Sequence, residues 1–237
     1  MKYFTITVLG LLLAFGCSHT TSDQTKASTG KTHDPTHHHH VDDNPSNQHM
    51  NKRPFAELVA GLESEDRAQW QKPDLVLEQL GDLTGKTVLD IGAGTGYFSF
   101  PLAERGAQVI AADVDDRFLE YISDKKRKRG VDNLTTRKVP YDSPGLSPQE
   151  VDAAIIINTY HHINERIAYF AQVKQGLKPG GQLLVVDYKK EDTPHGPPMN
   201  HRMSAETVER ELKEAGFQQI RIDPTTLTYQ YMVLAQK

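Results

Sequence analysis

The stretch that decides the fold is Asp90-Ile-Gly-Ala-Gly-Thr-Gly96. It follows a short apolar run at residues 87–89 and precedes a run typical of a helix at residues 97–105. A strand that turns through glycines into a helix exposes backbone N–H groups at the positive end of that helix. This arrangement predicts a binding site for a nucleotide-like ligand, and the carboxylate in front of the glycines bears on which ligand it is.

Strands and helices alternate along the chain from residue 86 onward. Apolar runs predict strands at 86–91, 107–113, 133–139, 152–158, 181–188, 217–223 and 229–236, and helices at about 96–105, 116–129, 164–176 and 204–215. Regular alternation indicates a parallel sheet with right-handed crossovers. The last two strands are joined by residues 224–228 alone, which is too short for a crossover helix. We therefore expect an α/β fold: a seven-stranded, mainly parallel sheet with a C-terminal antiparallel hairpin and helices on both faces.

Two further segments combine with the glycine turn. Asp113 ends the second predicted strand, and residues 177–187 read Leu-Lys-Pro-Gly-Gly-Gln-Leu-Leu-Val-Val-Asp. Together with the pattern Asp90-x-Gly92-x-Gly94-x-Gly96, in this order and spacing, they resemble the class I S-adenosylmethionine-dependent methyltransferases over about residues 55–237. The resemblance implies a Rossmann-like fold, S-adenosylmethionine as cofactor and methyl transfer as the activity.

The chemistry of this cofactor suits the motif. Asp90 places a negative charge near an ammonium and a cationic sulfur, the glycines allow close backbone approach, and Asp113 can accept hydrogen bonds from ribose hydroxyls. A nicotinamide or flavin dinucleotide fits less well, because its G-x-G-x-x-G pattern would need the third glycine one residue later and Asp90 would repel a pyrophosphate. The cofactor contacts that we predict are Asp90, Gly92, Ala93, Gly94, Gly96, Asp113, Val114, Asp142 and Asn158.

The adenine pocket is left with two candidates. Members of the family often carry an aspartate shortly after the third strand, and Pro140 falls at that position here. Either Asp142 takes this role through a shifted loop, or Tyr141 stacks on the ring. Asp142 could instead cap the turn at residues 143–145.

Candidate catalytic residues follow the fourth strand, which adjoins the first strand at the switch point of the sheet. Three isoleucines end there in Asn158-Thr-Tyr-His-His162. His161 or His162 could remove a proton from the acceptor, since imidazole titrates near neutral pH, and Tyr160 or Asn158 could contact the acceptor or the methionine end of the cofactor. We expect one of the two adjacent histidines to face the pocket and the other to cap the next helix or pack under the loop.

Three other segments have two interpretations each. Helices between residues 55 and 81 either cap the cofactor or only cover the sheet. The proline-stiffened, basic loop at 188–203 is either a lid over the acceptor or a long connection to a helix capped by Ser204. The basic run at 125–129 is either a patch for nucleic acid or the solvated end of a helix, where cations complement the helix dipole, and we favour the second.

The N-terminal region differs in composition from the rest. Residues 4–16 contain few polar side chains and lead to Cys17, the only cysteine, which resembles a bacterial lipoprotein signal. Residues 18–50 are polar and rich in histidine, which predicts a disordered tether with incidental affinity for divalent metals. The expected organisation is a signal segment at 1–17, a tether at 18–50 and a methyltransferase domain at 51–237. The protein would then be membrane-anchored, as a periplasmic or outer-membrane lipoprotein or through an uncleaved segment facing the cytoplasm.

The functional expectation is an S-adenosylmethionine-dependent methyltransferase with an unidentified small-molecule acceptor. The net charge of -4 gives no reason to expect nucleic acid as a partner, and no metal ligand is assigned in the domain. The alternative is a metal-handling or ligand-binding lipoprotein that uses the histidine-rich tether and a non-catalytic methyltransferase fold.

Overall fold

A computed structural model of the protein describes residue 1 and residues 44–237. Apart from Met1, the predicted signal segment lies outside the described residues, as do Cys17 and residues 18–43 of the predicted tether. Within residues 44–237, every helix is too short or too polar to cross a lipid bilayer.

The described chain contains one seven-stranded sheet with the order β3-β2-β1-β4-β5-β7-β6. Its strands are β1 (Thr87–Ile91), β2 (Gln108–Asp113), β3 (Leu134–Lys138), β4 (Val151–Ile157), β5 (Leu177–Tyr188), β6 (Gln218–Asp223) and β7 (Gln230–Gln236). The first five strands run parallel, whereas β7 is antiparallel to both β5 and β6. The expected fold class is confirmed, including the C-terminal hairpin.

The α-helices fall into two sets along the chain, and two 3-10 turns lie within the second. Four short ones precede the sheet: α1 (Pro45–Asn51), α2 (Phe55–Leu62), α3 (Arg67–Gln71) and α4 (Pro73–Glu78). The crossover helices are α5 (Ser99–Glu104), α6 (Asp116–Arg129), α7 (Arg166–Gly176) and α8 (Ala205–Glu214). Single 3-10 turns occur at Tyr160–His162 and Met199–His201. The four helices predicted after the glycine turn correspond to α5–α8.

Alternate residues of the central strands point into two separate apolar cores. Leu89 and Ile156 face the core that includes residues of α7 and α8, such as Phe170 and Leu212. Val88 and Ile155, one residue before each, belong to the other core, which α4, α5 and α6 cover. Because both faces are buried, the central strands are apolar throughout, and removing this area from water is the main force that stabilises the sheet.

The predicted end of the tether at residue 50 is wrong. Residues 45–51 form α1, which has a proline at its first position and Asn44 as its N-cap, with the amide of Ser46 donating to Oδ1 of Asn44 at 2.9 Å. Asn44, Ser46 and Asn47 are buried. Composition predicts disorder where little apolar surface can be buried, but α1 is held by hydrogen bonds from polar side chains, which composition does not reveal.

The order of the strands brings two predicted segments together. The strands β2 and β3 are added on one side of β1 and β4 on the other, so the strand order switches between β1 and β4. These two strands are parallel, hydrogen-bonded neighbours, with Ile91 paired to Ile156. The carboxyl ends of parallel strands meet at one edge of the sheet, so the glycine turn after β1 lies beside the polar segment after β4. Ligands bind at such a switch point in open α/β sheets.

Candidate functional site

The glycine turn forms the floor of a crevice. Gly92, Gly94 and Gly96 have φ angles of 69°, 55° and 76°, in the region that glycine adopts without strain. A methyl group on Gly94 would lie 3.3 Å from Cδ1 of Leu62, whose helix α2 covers the turn. A methyl group on Gly96 would instead lie 2.9 Å from the ring of Phe100, so this glycine permits helix packing and does not line the crevice.

Asp113 is fixed beside the turn by two backbone groups. Its Oδ2 accepts from the amide of Gly94 at 2.8 Å and its Oδ1 accepts from the amide of Asp115 at 2.9 Å. Burial raises the pKa of Asp113, although these hydrogen bonds oppose the shift. Each carboxylate oxygen has a second lone pair, so Asp113 can still accept hydrogen bonds from a ligand in the crevice that it lines.

Asp90 is the second acidic group of the crevice and is only 3% exposed. Burial raises the pKa of Asp90 to about 7, while the hydrogen bond from Ser99 and the charge of Arg67 pull it the other way. Ser99 donates to Oδ2 at 2.6 Å. A buried carboxylate of this kind is stabilised when a cation is placed next to it, which favours a positively charged ligand.

A buried cation, Arg67 at the start of α3, lines the same crevice. Its guanidinium carbon lies 3.9 Å from the centre of the Tyr97 ring, and its Nη1 donates to the carbonyl of Leu62 at 2.5 Å. Its Nε donates to Oε1 of Gln71 at 2.6 Å. Arg67 therefore brings a fixed positive charge into the crevice and starts a chain of buried side-chain hydrogen bonds.

This chain, which we call the amide relay, runs from Arg67 through Gln71 and Gln230 to Asn158. Nε2 of Gln71 donates to Oε1 of Gln230 at 3.0 Å, and Nε2 of Gln230 donates to Oδ1 of Asn158. A guanidinium can only donate, so it fixes the orientation of each amide in turn. Oδ1 of Asn158 is used, and its Nδ2 remains as a donor at the crevice, which Asn158 lines with a φ of 57°.

Two of the three predicted catalytic residues lie away from the crevice. Tyr160 is fully buried, stacks on Phe170 with ring centres 4.8 Å apart, and donates from its hydroxyl to Glu211 at 2.7 Å. Burial and the neighbouring carboxylate raise the pKa of Tyr160 far above its usual range. His161 is buried, and its Nδ1 lies 2.9 Å from Asp187. The predictions for Tyr160 and His161 are therefore wrong, because the 3-10 turn directs both side chains into the core.

His162 is the member of this turn that lines the crevice. Its Nδ1 lies 2.6 Å from Oδ1 of Asn47, a residue of α1. Burial lowers the pKa of His162 to about 3, and the neighbouring His161 acts in the same direction. The imidazole is therefore neutral at physiological pH and has a free lone pair. The expectation that one of the two histidines faces the pocket agrees with this placement.

The crevice is covered by the helices that precede the sheet. Met50 and Asn51 of α1 line it, as do Leu58 and Leu62 of α2. These helices therefore cap the crevice, one of the two roles considered for those after residue 55. The contribution of α1 was not predicted, because its sequence, Pro-Ser-Asn-Gln-His-Met-Asn, lacks an apolar stripe.

The loop at 188–203 does not line the crevice. Two of its basic residues, Arg202 and His195, contact other residues of the domain. Arg202 is buried and donates to the carbonyls of Glu191 at 2.7 Å and Pro197 at 2.8 Å, and the His195 ring stacks on Trp70 at 4.7 Å. The loop therefore holds α3 from outside.

The prediction for Asp142 is also wrong. Asp142 is exposed and does not line the crevice, whereas Pro140 and Tyr141 do. The chain turns outward after Tyr141, and Nε2 of Gln172 donates to the backbone carbonyl of Asp142 at 3.1 Å. The alternative, in which Tyr141 contacts the ligand, is the one that this placement favours.

Most of the predicted cofactor contacts do line the crevice: Asp90, Gly92, Ala93, Gly94, Asp113, Val114 and Asn158. Sequence reasoning missed several others: Asn47, Met50, Asn51, Arg67, Thr95 and Tyr97. Thr95 and Tyr97 belong to the glycine turn or follow it directly and could have been included. Asn47 and Arg67 carry no local signal, since they reach the crevice through tertiary contacts alone.

Potential metal ligands are not clustered in the part of the chain that the structure describes. Residues 44–237 contain no group of three or more His, Cys, Asp or Glu side chains placed to hold an ion. His49 of the predicted tether is an exposed residue of α1, and His33, His37, His38, His39 and His40 lie outside the described residues.

Comparison with known proteins identifies the domain. Residues 88–181 match a family described as a methyltransferase domain. A crystal structure of a SAM dependent methyltransferase from Aquifex aeolicus superposes with a TM-score of 0.70 at 28% identity, covering 78% of this chain and 99% of that one. This chain carries an S-adenosylmethionine-dependent methyltransferase domain.

Curated relatives extend beyond the region that they share with this chain. The tRNA U34 carboxymethyltransferase of Pseudoalteromonas translucida (strain TAC 125) is 32% identical over 136 residues, which are 56% of this chain and 41% of the relative. The demethylmenaquinone methyltransferase of Tropheryma whipplei (strain Twist) is 29% identical over 121 residues, 51% of this chain and 48% of the relative. The chain thus spans less than half the length of either relative.

The residues of the crevice fit S-adenosylmethionine. Thr95 is 1% exposed, and its hydroxyl lacks a hydrogen-bond partner within residues 44–237, so a ligand group could satisfy it. Asp90 would hold the cationic end of the cofactor, and Asp113 the ribose hydroxyls. Arg67 and Nδ2 of Asn158 are the donors available for the carboxylate of the methionine portion.

Proposed function

We propose that this protein methylates a small-molecule acceptor that carries a polar X–H group, and that His162 accepts the proton. The observation that carries this proposal is that one crevice joins Asp90 and the glycine turn to His162, under the helices α1 and α2. His162 is neutral at physiological pH, so it can accept a proton without first losing one.

The protein's own residues orient the reactants, restrict water in the crevice and accept the proton of the acceptor. When bound, S-adenosylmethionine supplies a methyl group on a cationic sulfur, and the sulfur is the leaving atom that keeps the electron pair of the methyl–sulfur bond. The capping helices restrict water, and the fixed groups Asp90 and Asp113 orient the reactants, which lowers the entropic part of the barrier. As the acceptor atom bonds to carbon, its X–H proton becomes strongly acidic, so even a weakly basic imidazole can take it.

A small molecule is favoured over RNA as the acceptor. The names of the relatives point both ways, to tRNA in one case and to demethylmenaquinone in the other. The net charge of -4 opposes binding to a phosphate backbone. Two cations of the basic run at 125–129 are paired with acidic side chains, Lys125 with Glu63 at 2.6 Å and Arg127 with Asp124 at 2.8 Å, which reduces the charge of the run.

The cofactor site is tested by calorimetry with the full chain and S-adenosylhomocysteine. Asp113→Asn should weaken binding by about tenfold to a hundredfold, since it removes a charged acceptor worth about 1.5–3 kcal/mol. Asp116→Asn is the matched control, because Asp116 is exposed and pairs with Lys138 on the surface. Equal affinities for both variants would contradict the assignment of Asp113.

The acceptor class is tested with methyl-labelled S-adenosylmethionine, supplied with either a small-molecule extract or total tRNA. We expect label in the small-molecule fraction, and we expect His162→Gln to lose this transfer while it still binds S-adenosylhomocysteine. His49→Gln, an exposed change on α1, should transfer normally. Label in tRNA alone would overturn the proposed acceptor class, and full transfer by His162→Gln would overturn the role of His162.

We further propose that residues 1–17 attach the protein to a membrane. What supports this is the sequence, in which a run with few polar residues leads to Cys17, the only cysteine. Expression of the full chain in bacteria with labelled fatty acid should label the wild type but not Cys17→Ser. A wild-type chain found unlabelled in the membrane fraction would support an uncleaved anchor instead, and an unlabelled chain in the soluble fraction would contradict attachment.

A further inference from the structure

Helix α1 lies over the 3-10 turn at Tyr160–His162 and is held there by polar side chains. Three polar side chains of α1 and its N-cap Asn44 each contact a residue on the body of the domain. The contacts are Asn44 Nδ2 to Asn164 Oδ1 at 3.0 Å, Ser46 Oγ with His201 Nδ1 at 3.2 Å, Asn47 Nδ2 to the carbonyl of His162 at 3.1 Å, and Asn51 Nδ2 to Tyr141 Oη at 3.3 Å. Docking of α1 thus depends on specific hydrogen bonds more than on apolar area.

The pair formed by Asn47 and His162 has a defined direction. Nδ2 of Asn47 donates to the carbonyl of His162, which can only accept, so Oδ1 must be the atom that faces the imidazole. Oδ1 is an acceptor and lies 2.6 Å from Nδ1 of His162, so Nδ1 must carry the hydrogen. A neutral imidazole has one ring hydrogen, which leaves Nε2 of His162 with the free lone pair.

We propose that Asn47 is a positioning residue that holds His162 in the tautomer whose Nε2 accepts the acceptor's proton. This inference rests on the proposed role of His162 as the proton acceptor. Asn47 acts through His162: the X–H proton of the methyl acceptor moves to Nε2 of His162 as the acceptor atom bonds to the methyl carbon. Because Asn47 belongs to α1, His162 is held in this tautomer only while α1 is docked. Helix α1 therefore both covers the crevice and orients the proton acceptor.

The neighbouring histidine is held in a comparable way by a different partner. Nδ1 of His161 faces Asp187 at 2.9 Å, and the two imidazole rings lie 4.4 Å apart. Asp187 is contributed by β5, in the body of the domain, so the partner of the His161 ring does not come from α1, whose N-cap Asn44 contacts only the backbone carbonyl of His161, at 3.3 Å. His161 is therefore an internal reference against which a change in His162 can be measured.

The test is a long-range ¹H–¹⁵N correlation spectrum of the full chain labelled with ¹⁵N-histidine, recorded at pH 7. Resonances of His162 are assigned by their loss in His162→Gln. In the wild type we expect Nδ1 to be protonated and Nε2 to have the shift of an unprotonated ring nitrogen. Asn47→Ala should give a mixture of tautomers at His162 and no change at His161. Asn47→Asp, which keeps an acceptor oxygen, should retain the wild-type tautomer.

Ser46→Ala is the matched control, since Ser46 lies on α1 and contacts His201 but not His162. It weakens docking of α1 without removing the partner of Nδ1. A wild-type His162 protonated at Nε2 would overturn the proposal, as would an unchanged tautomer in Asn47→Ala. A shift in Ser46→Ala as large as that in Asn47→Ala would also overturn it, because it would assign the effect to docking in general.

The second measurement is the rate of methyl transfer, with the acceptor that receives the labelled methyl group in the experiment above. We expect Asn47→Ala to lower kcat by about tenfold, less than the roughly 10²–10⁴-fold that a proton acceptor contributes, because the imidazole itself is retained. This loss of kcat should exceed any change in the affinity for S-adenosylhomocysteine. An unchanged kcat would contradict the positioning role. Failure of the proposed function is recognised separately, since the wild type would then lack cofactor binding or methyl transfer whatever tautomer His162 adopts.

Discussion

Gln71 and Gln230 form a side-chain hydrogen bond of 3.0 Å, and both residues are fully buried. It joins α3, which covers the crevice, to β7 in the sheet. Each amide uses its other polar atom as well, Gln71 toward Arg67 and Gln230 toward Asn158. The pair is thus the middle of the amide relay, and it transmits the orientation set by a buried cation to a residue of the cofactor crevice.

Replacing Gln71 by leucine should lower the free energy of unfolding by about 1–3 kcal/mol, because it leaves a buried donor of Arg67 and a buried acceptor of Gln230 without partners. Thermal and denaturant unfolding of the full chain measure this change. Gln69→Leu, an exposed substitution on the same helix, should change stability by less than about 0.5 kcal/mol. Equal losses in the two variants would show that the relay contributes nothing.

Replacing Gln71 by glutamate should reverse the relay without breaking it. The carboxylate still pairs with Arg67, but it cannot donate to Gln230, so the amide of Gln230 must turn over and present its oxygen to Asn158. Nδ2 of Asn158 then donates to Gln230, and its oxygen faces the crevice. We expect S-adenosylhomocysteine to bind about tenfold more weakly in calorimetry, since a donor becomes an acceptor. Wild-type affinity would mean that Asn158 does not contact the ligand.

The glycine turn allows the cost of strain to be separated from the loss of ligand space. Gly94→Ala introduces a methyl group at a φ of 55°, where the nearest atom is Cδ1 of Leu62 at 3.3 Å. Gly81→Ala introduces one at a φ of 69°, with nothing within 4 Å. Both should lose about 1–2 kcal/mol of stability from the left-handed backbone, but only Gly94→Ala should lose cofactor binding. Denaturation and calorimetry on both variants check this, and binding by Gly94→Ala would remove the turn from the site.

Local patterns in the sequence predict the sheet, its direction and the acidic groups of the crevice. Asp90 and Asp113 end strands that periodicity identifies, so their meeting at the switch point follows from topology. Asn47 and Arg67 could not be predicted in this way, because tertiary contacts outside their own helices bring them to the crevice. Asn47 reaches it through His162, and Arg67 lies over the ring of Tyr97. Tyr160 was misassigned because chain position alone does not say which side chains of a 3-10 turn enter the core.

Tyr160→Phe tests that correction directly. It removes the hydroxyl that donates to Glu211 at 2.7 Å but keeps the ring that stacks on Phe170. The free energy of unfolding should fall by about 1–3 kcal/mol, the range for a hydrogen bond to a charged group and a buried acceptor left partly unsatisfied. Methyl transfer at a temperature where the variant is folded should remain at the wild-type level. A large loss of kcat in the folded variant would return Tyr160 to the active site.

Asp90 gives the domain a pH dependence of defined sign. Burial raises the pKa of this carboxyl to about 7, from its ordinary value near 4, and burial also raises the pKa of Asp113. Between these pH values the folded state binds more protons than the unfolded state, so these groups make stability fall as the pH rises from about 4 to about 7. Asp90→Asn should flatten this fall in the ligand-free protein, leaving the contribution of Asp113, as measured by denaturation across that range.

A ligand that carries a positive charge should reverse this trend, because it stabilises the ionised form of Asp90. Affinity for S-adenosylmethionine should therefore rise as the pH increases through 7, with release of protons near neutral pH. S-Adenosylhomocysteine lacks the sulfonium charge, so its affinity and its proton release should depend less on pH. Calorimetry in buffers with different ionisation enthalpies measures both quantities. Equal proton release for the two ligands would mean that Asp90 does not respond to the charge on sulfur, and the carboxylate would then act on the amino group alone.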